Sequence, residues 1–376
     1  MKKALFVATV ASHIRAFHLP YLKLLKDNGY KVYVAANWNL NKNEKLPNCD
    51  EFIQIPIQRS PYSLKNITAI KELKRVIEKE KFDIIHCHTP MGSVVARLAS
   101  IKARKNYGTR VIYTAHGFHF YKGAPKKNWL MFYPVEWYLA KYTDCLITIN
   151  GEDYDIAKKK FTKRCHSVLY VPGVGIDPQK FNINISNLEK QKLRESLGLK
   201  KDDFVFLYPA ELSSRKRQLW LINSLSTVLQ KHANIHILLA GKDSLKGECQ
   251  KLVNKRNLQS NIHFLGYRND IPKLLEIADA AISSARQEGL PVNIMEAMYK
   301  ELPIVASNCR GNRDLVMNNK NGYLIDINDY NKYAECVEKI YLDKEKNKEF
   351  GIQSKKLIER YLLDNIVEEM KKIYKI

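Results

Sequence analysis

Two carboxylates and a run of cations are the residues in this chain whose types and spacing suggest chemistry. Glu288 and Glu296 lie within Arg286-Gln287-Glu288-Gly289-Leu290-Pro291-Val292-Asn293-Ile294-Met295-Glu296. The apolar run Ala278-Asp279-Ala280-Ala281-Ile282 just before it reads as a short buried strand. Pro291 suits the first turn of a helix, where its missing N–H costs nothing. The spacing therefore predicts a strand, a loop carrying Glu288 and Gly289, and a helix whose N-terminus points at whatever the loop holds. Free amides and the helix dipole make such an end receptive to phosphate, and Gly289 leaves room for close backbone approach. Glu296 lies roughly 7–8 Å further along the helix. Carboxylates at the mouth of a helix and further along it can hold the two ends of a ligand whose middle is a diphosphate. Sugar, diphosphate and ribose in a nucleotide sugar have that layout.

Other groups extend the pattern. Ala210-Glu211-Leu212-Ser213-Ser214-Arg215-Lys216-Arg217 follows a predicted strand and sets three cations beside two hydroxyls. Fixed cations in such a loop neutralise the charge that develops on a departing nucleoside diphosphate. His116 stands directly after another predicted strand, where α/β sites are built. His13 and Arg15 fall in the loop after the first strand and could face the same cleft. His86 and His88 share one strand face by period-two alternation, but no further ligands are spaced for a metal, and none is expected. From Phe118 to Tyr133 the chain mixes aromatics with lysines, a composition suited to a membrane interface with anionic headgroups.

These residues must be positioned by alternating strands and helices, beginning with Lys3–Val10, which predicts parallel α/β architecture. A chain of 376 residues calls for more than one core. The expected division is residues 1–180, an acceptor-binding Rossmann-like domain, and 181–355, a nucleotide-sugar-binding one. Residues 356–376 are expected as a helix packing back on the first domain, within a helical run from Ser354 to Ile376. The net charge of +23 is unusual, and its excess sits mainly in the first half. That favours an anionic partner there, membrane lipid or nucleic acid. No recognition motif or stacking platform supports nucleic acid, and no G-x-G-x-x-G supports a nicotinamide cofactor. The 7 cysteines are scattered and unpaired in spacing, which indicates reduced thiols in a cytoplasmic protein. No window is apolar enough to span a bilayer.

Taken together, these residues resemble glycosyltransferase family 4, retaining enzymes of the GT-B fold, across nearly the whole chain. The likeness is strongest to bacterial enzymes of capsule, exopolysaccharide and O-antigen synthesis. It is carried by Glu288 and Glu296 with Gly289-Leu290-Pro291, by the Ser213–Lys216 loop, and by His116 in Thr114-Ala115-His116-Gly117. Asp83-Ile84-Ile85-His86-Cys87-His88, Val171-Pro172-Gly173-Val174-Gly175-Ile176-Asp177 and Phe264-Leu265-Gly266-Tyr267 support it. The resemblance implies two Rossmann-like domains facing each other across a cleft. It implies that Glu296 grips the ribose and that Glu288 sits by the donor sugar. Lys216 with Arg215 or Arg217 would hold the diphosphate, helped by amides from Gly289 to Val292. Gly266, Tyr267 and Arg268 would approach the base. His116 would lie beside the transferred sugar, with His13, Arg15 and Phe118 on the acceptor side. No metal or other cofactor is implied. Two departures stand out: Ala210-Glu211 replaces the family's common Gly-Arg, and Thr9-Val10-Ala11-Ser12-His13 replaces its usual glycine pair.

The reading is a metal-independent retaining transferase at the inner face of the plasma membrane. It moves a hexose or N-acetylhexosamine from a donor, expected to be UDP-linked, to a polyprenyl-diphosphate-linked saccharide. The alternatives are a GT-B sugar-nucleotide epimerase and, from another class, a basic nucleic-acid-binding protein.

Overall fold

The computed structural model describes residues 1–41, 43–183 and 185–376. It divides into two compact units, one formed by Met1–Gly175 with Leu363–Ile376 and the other by Ile176–Leu362. In the first unit, strands β1 (Lys3–Val10), β2 (Lys31–Asn37), β3 (Glu51–Gln54), β4 (Ile84–His88), β5 (Arg110–Ala115), β6 (Cys145–Thr148) and β7 (Ser167–Tyr170) form one parallel sheet. Its order is β3-β2-β1-β4-β5-β6-β7. In the second unit, β8 (Phe204–Pro209), β9 (Ile235–Ala240), β10 (Ile262–Gly266), β11 (Ala280–Ser283), β12 (Ile304–Ser307) and β13 (Gly322–Ile325) form another parallel sheet. There the order is β10-β9-β8-β11-β12-β13.

Both faces of each sheet are covered by helices, which is why the central strands read as unbroken apolar runs. Along β1, Leu5 and Val7 enter one buried cluster while Ala4, Phe6 and Ala8 enter the cluster on the opposite face. The strand order reverses between β1 and β4 in the first unit and between β8 and β11 in the second. Open parallel sheets bind ligands beyond the carboxyl ends of the strands at such reversals.

Two expectations about elements are corrected. His13 and Arg15 lie on a short helix, Ala11–Phe17, not in a loop. The basic stretch from Val94 to Arg104 spans two helices, Pro90–Ala99 and Ile101–Tyr107. At the break, Ser100 Oγ donates to the Arg97 carbonyl at 3.1 Å, a local bond that competes with the helical ladder. The run from Ser354 to Ile376 is also interrupted. One helix, Lys344–Ile358, ends in a 3-10 turn at Glu359–Tyr361, and Leu363–Tyr374 begins anew. Buried Tyr361 holds the turn in the second unit, its hydroxyl donating to the Asp314 carbonyl at 2.9 Å. Leu363–Tyr374 then packs in the first unit, burying Ile366, Met370, Ile373 and Tyr374.

The divisions come at Gly175–Ile176 and Leu362–Leu363, not after residues 180 and 355. Gly175 has φ +82°, and a Cβ there would lie 2.7 Å from the Leu363 Cα. Close approach of the two chain segments thus requires glycine at this position.

Candidate active site

The second unit places its chemistry at its strand reversal. β8 ends at Pro209 and leads into the loop bearing Arg215 and Lys216; β11 ends at Ser283 and leads into the loop bearing Glu288. Glu288 is only 6% exposed. Its Oε1 accepts from Lys216 Nζ at 2.5 Å and its Oε2 from Arg215 Nη1 at 3.1 Å. The Lys216 side chain is largely buried, whereas that of Arg215 is 49% exposed. Two cations against one carboxylate leave a surplus positive charge, which is what a diphosphate needs.

The loop is tied down from below. Tyr208 Oη and Ser284 Oγ both donate to the Lys216 carbonyl, at 3.0 and 2.8 Å. The Ser213 carbonyl accepts from the amides of Lys216 and Arg217 at 3.1 and 2.9 Å. Ser214 is exposed. The helix after the Glu288 loop is Val292–Tyr299, with Pro291 in extended conformation before it. Its first-turn amides have no preceding helical carbonyl to bond.

Glu296, on that helix, is half-buried, and burial pushes its carboxyl up to about 7, with Lys180 opposing the rise. No hydrogen bond or ion pair engages its carboxyl oxygens among the described residues, while its backbone carbonyl accepts from the Lys300 amide at 3.2 Å. A carboxyl so placed is an acceptor waiting for donors, and a vicinal diol supplies two.

Arg215 and Arg217, left as alternatives by sequence, go to different places. Arg217 has φ +60°, donates to the Ile327 carbonyl and lies 4.7 Å above the Trp220 ring. Of the two, it is Arg215 that joins Lys216 on the Glu288 carboxylate. Glu211, where an arginine is usual, accepts from Ser244 Oγ. Gly266 ends β10 with φ +64°, and Tyr267 beyond it is 78% exposed. Arg268 is held by Asp270 through two bonds, at 2.7 and 2.5 Å.

Sequence reasoning missed Arg310 and Gly311. Arg310 is buried, and its Nε donates to the Glu288 carbonyl at 3.0 Å. Gly311 has φ +82°, and a Cβ there would meet the Gly289 carbonyl oxygen at 2.6 Å. Together they shape the Glu288–Gly289 turn from β12. A glycine soon after a predicted strand, in Cys309-Arg310-Gly311-Asn312, was the available signal.

The first unit holds a histidine stack at its own strand ends. His18 and His88 stack with ring centroids 3.7 Å apart, and His86 lies 4.1 Å from His88. His13 Nε2 approaches His18 Nε2 at 3.3 Å, and His116 Nε2 approaches His88 Nδ1 at 3.4 Å. Burial lowers the pKa of every one, His13 to about 4 and His86 to about 3. They are therefore neutral hydrogen-bonding groups at physiological pH. The ligand atoms of His13, His18 and His116 lie within 4.8 Å of one another, close enough to share an ion, a grouping that the separate sequence positions concealed.

Arg15 is exposed and paired with Glu44. Phe118 is a correction: it is 3% exposed and stacks on Phe120 at 4.7 Å, so it builds the core and offers no surface to an acceptor.

Residues 3–150 match the family model "Glycosyl transferase 4-like", and residues 189–357 match "Glycosyl transferases group 1". EpsD of Bacillus subtilis, which carries a glycosyltransferase name, is 42% identical over 99% of this chain and 96% of its own. A galactosyltransferase of Escherichia coli, named for UDP-Gal and alpha-D-GlcNAc-diphosphoundecaprenol, is 29% identical over 84% of this chain and 82% of its own. Among solved structures, Anabaena HepE in complex with UDP and glucose superimposes with a TM-score of 0.79. At 20% identity over all of both chains, it shows that the fold is that of the GT-B glycosyltransferases. Both halves match, and near-full-length identity to EpsD joins them: the chain belongs to the glycosyltransferase 4-like family.

Proposed function

We propose that this glycosyltransferase moves a hexose or N-acetylhexosamine from a UDP-sugar to a polyprenyl-diphosphate-linked saccharide during synthesis of a bacterial surface polysaccharide. The observation that carries the donor half is the Arg215–Lys216–Glu288 cluster beneath a helix N-terminus, with unpaired Glu296 further along that helix. In this reading Lys216, Arg215 and the amides from Gly289 to Val292 hold the diphosphate. Glu296 accepts hydrogen bonds from the ribose diol, and Tyr267 and Arg268 approach the base. The anomeric carbon–oxygen bond to the diphosphate breaks as the acceptor hydroxyl bonds to that carbon. Its proton passes to the departing phosphate oxygen, and the fixed cations stabilise the charge forming there. Glu288, held by two cations, is a poor covalent nucleophile, which favours retention by same-face attack without a metal.

The acceptor half rests on the first unit and on the relatives. The E. coli relative names a diphosphoundecaprenol-linked acceptor, and a Staphylococcus aureus relative is named for capsular polysaccharide biosynthesis. His13 is assigned to the acceptor side and His116 to a place beside the transferred sugar, both as neutral groups. Among the described residues no helix is long and apolar enough to cross a membrane. The proposed placement is therefore peripheral, on the inner leaflet, through the basic first unit.

The test incubates the protein with UDP-glucose, UDP-galactose or UDP-N-acetylglucosamine and a diphosphoundecaprenol-linked acceptor, with and without EDTA. Acceptor-dependent UDP release, insensitive to EDTA and giving a product with the donor's anomeric configuration, is expected. Failure to bind UDP, or conversion of a UDP-sugar to its epimer without acceptor, would reject the proposal.

A further inference from the structure

The first unit has a cavity at its own strand reversal, between the carboxyl ends of β1 and β4. Thr9 and Thr89 meet there, hydroxyl to hydroxyl, at 2.7 Å. From that floor a groove of 950 Å³ runs outward, within the size range that encloses a small organic ligand. Met91 and Val94 form one wall; Met131, Phe132 and Val135 form the other. The groove is not closed over by core packing. Tyr62 and Leu130 are each 77% exposed, and Met131 and Val135 are also exposed. Tyr62 Oη touches Met131 Sδ at 3.9 Å, so the loop and the helix Lys126–Ala140 share one apolar rim. Contiguous apolar surface of this kind marks a binding site.

The charges at the groove narrow the occupant. Glu136 is already committed, to Arg97 at 2.9 Å and to the Tyr113 hydroxyl at 3.2 Å. Arg59 is exposed at the groove, and no hydrogen bond or ion pair engages it among the described residues. An apolar trough with one uncommitted guanidinium matches an amphiphile with a long apolar chain and a phosphate end.

We infer that this groove seats the first isoprene units of the acceptor's polyprenyl diphosphate, with Arg59 on the diphosphate. The inference rests on the proposed lipid-linked acceptor and names the part of the chain that receives it. Polyprenyl binding here presents the acceptor sugar beside His13, which lines the same groove.

The experiment titrates the full chain with farnesyl diphosphate, farnesol and inorganic pyrophosphate by calorimetry. Wild type is expected to bind farnesyl diphosphate at least tenfold more tightly than either farnesol or pyrophosphate. Val94→Trp, which fills the groove, should lose at least tenfold in farnesyl diphosphate affinity. Arg59→Ala should bind farnesyl diphosphate no better than farnesol. Urea unfolding followed by circular dichroism, measured in each variant, reports that the first unit is folded; Ala16→Trp fills the same groove from another helix if Val94→Trp fails that control. Equal binding of farnesyl diphosphate and pyrophosphate by wild type, or unchanged binding in a folded groove-filling variant, would overturn the inference. Displacement of the probe by phosphatidylglycerol vesicles would assign the groove to a phospholipid and overturn it as well. Loss of the transferase reading would appear separately, as absence of UDP binding by wild type.

Discussion

Replacing Glu296 with glutamine separates the charge of this carboxyl from its shape. Burial raises the group from 4.5 to about 7. If the ribose diol donates to the carboxylate, only the deprotonated form binds well. With a value near 7, UDP affinity should rise about tenfold between pH 6 and pH 8 through this group alone. Binding at pH 6.5 should release roughly three-quarters of a proton, since that fraction of Glu296 is protonated beforehand. UDP's own titration contributes equally to wild type and Glu296→Gln, so the difference between them isolates the residue. The same shift has a stability consequence of opposite sense. The folded value lies above the unfolded one, so the native state favours the proton. Glu296 therefore imposes no cost below about pH 4.5, an increasing cost from there to 7, and its full cost above. That cost is roughly 2–3 kcal/mol after allowance for partial exposure. Glu296→Gln should match wild type in urea at pH 4.5 and exceed it by that amount at pH 8. The assay is calorimetry in two buffers of different ionisation enthalpy, with urea unfolding alongside. Parallel pH profiles and equal proton release in both proteins would refute the assignment.

Other substitutions separate the neighbouring cations and test the C-terminal helix. Lys216→Ala removes the shorter of the two cation bonds to the nearly buried Glu288 carboxylate, and should weaken UDP binding by about 2–4 kcal/mol, the usual worth of one fixed charged donor. Arg217→Ala, whose guanidinium goes to the Ile327 carbonyl and Trp220, should lose about 1–2 kcal/mol of stability, with a smaller effect on UDP affinity; equal losses of UDP affinity in the two variants would contradict the geometry. Tyr374→Phe removes a buried bond of 2.7 Å to His86 Nδ1 and should cost about 1–2 kcal/mol in urea unfolding. No change would show that the C-terminal helix does not depend on this bond.

Local pattern alone determined a good deal of this protein. Apolar runs bounded by turn residues marked the strands from Lys3–Val10 to Gly322–Ile325, because strands buried on both faces carry their signal in consecutive residues. Glu288, Gly289 and Glu296 were legible because strand, loop and helix are contiguous there, and the loop bearing Arg215 and Lys216 could be read for the same reason. Breaks inside helices were not legible: Ser100 and the turn at Glu359–Tyr361 depend on side-chain and tertiary bonds that periodicity does not register. Only the tertiary structure separated the surroundings of Arg215 and Arg217, since residues two apart in one loop diverge once Arg217 enters the left-handed region. It also brought Arg310 under Glu288 and stacked His18 on His88, contacts between residues far apart in the chain. Phe118 passed from candidate acceptor contact to core for a similar reason: an aromatic beside lysines reads as surface until Phe120 and Asp153 are seen to enclose it. Sequence thus specifies which residue types follow each strand; the strand order then determines which of those strand ends become neighbours.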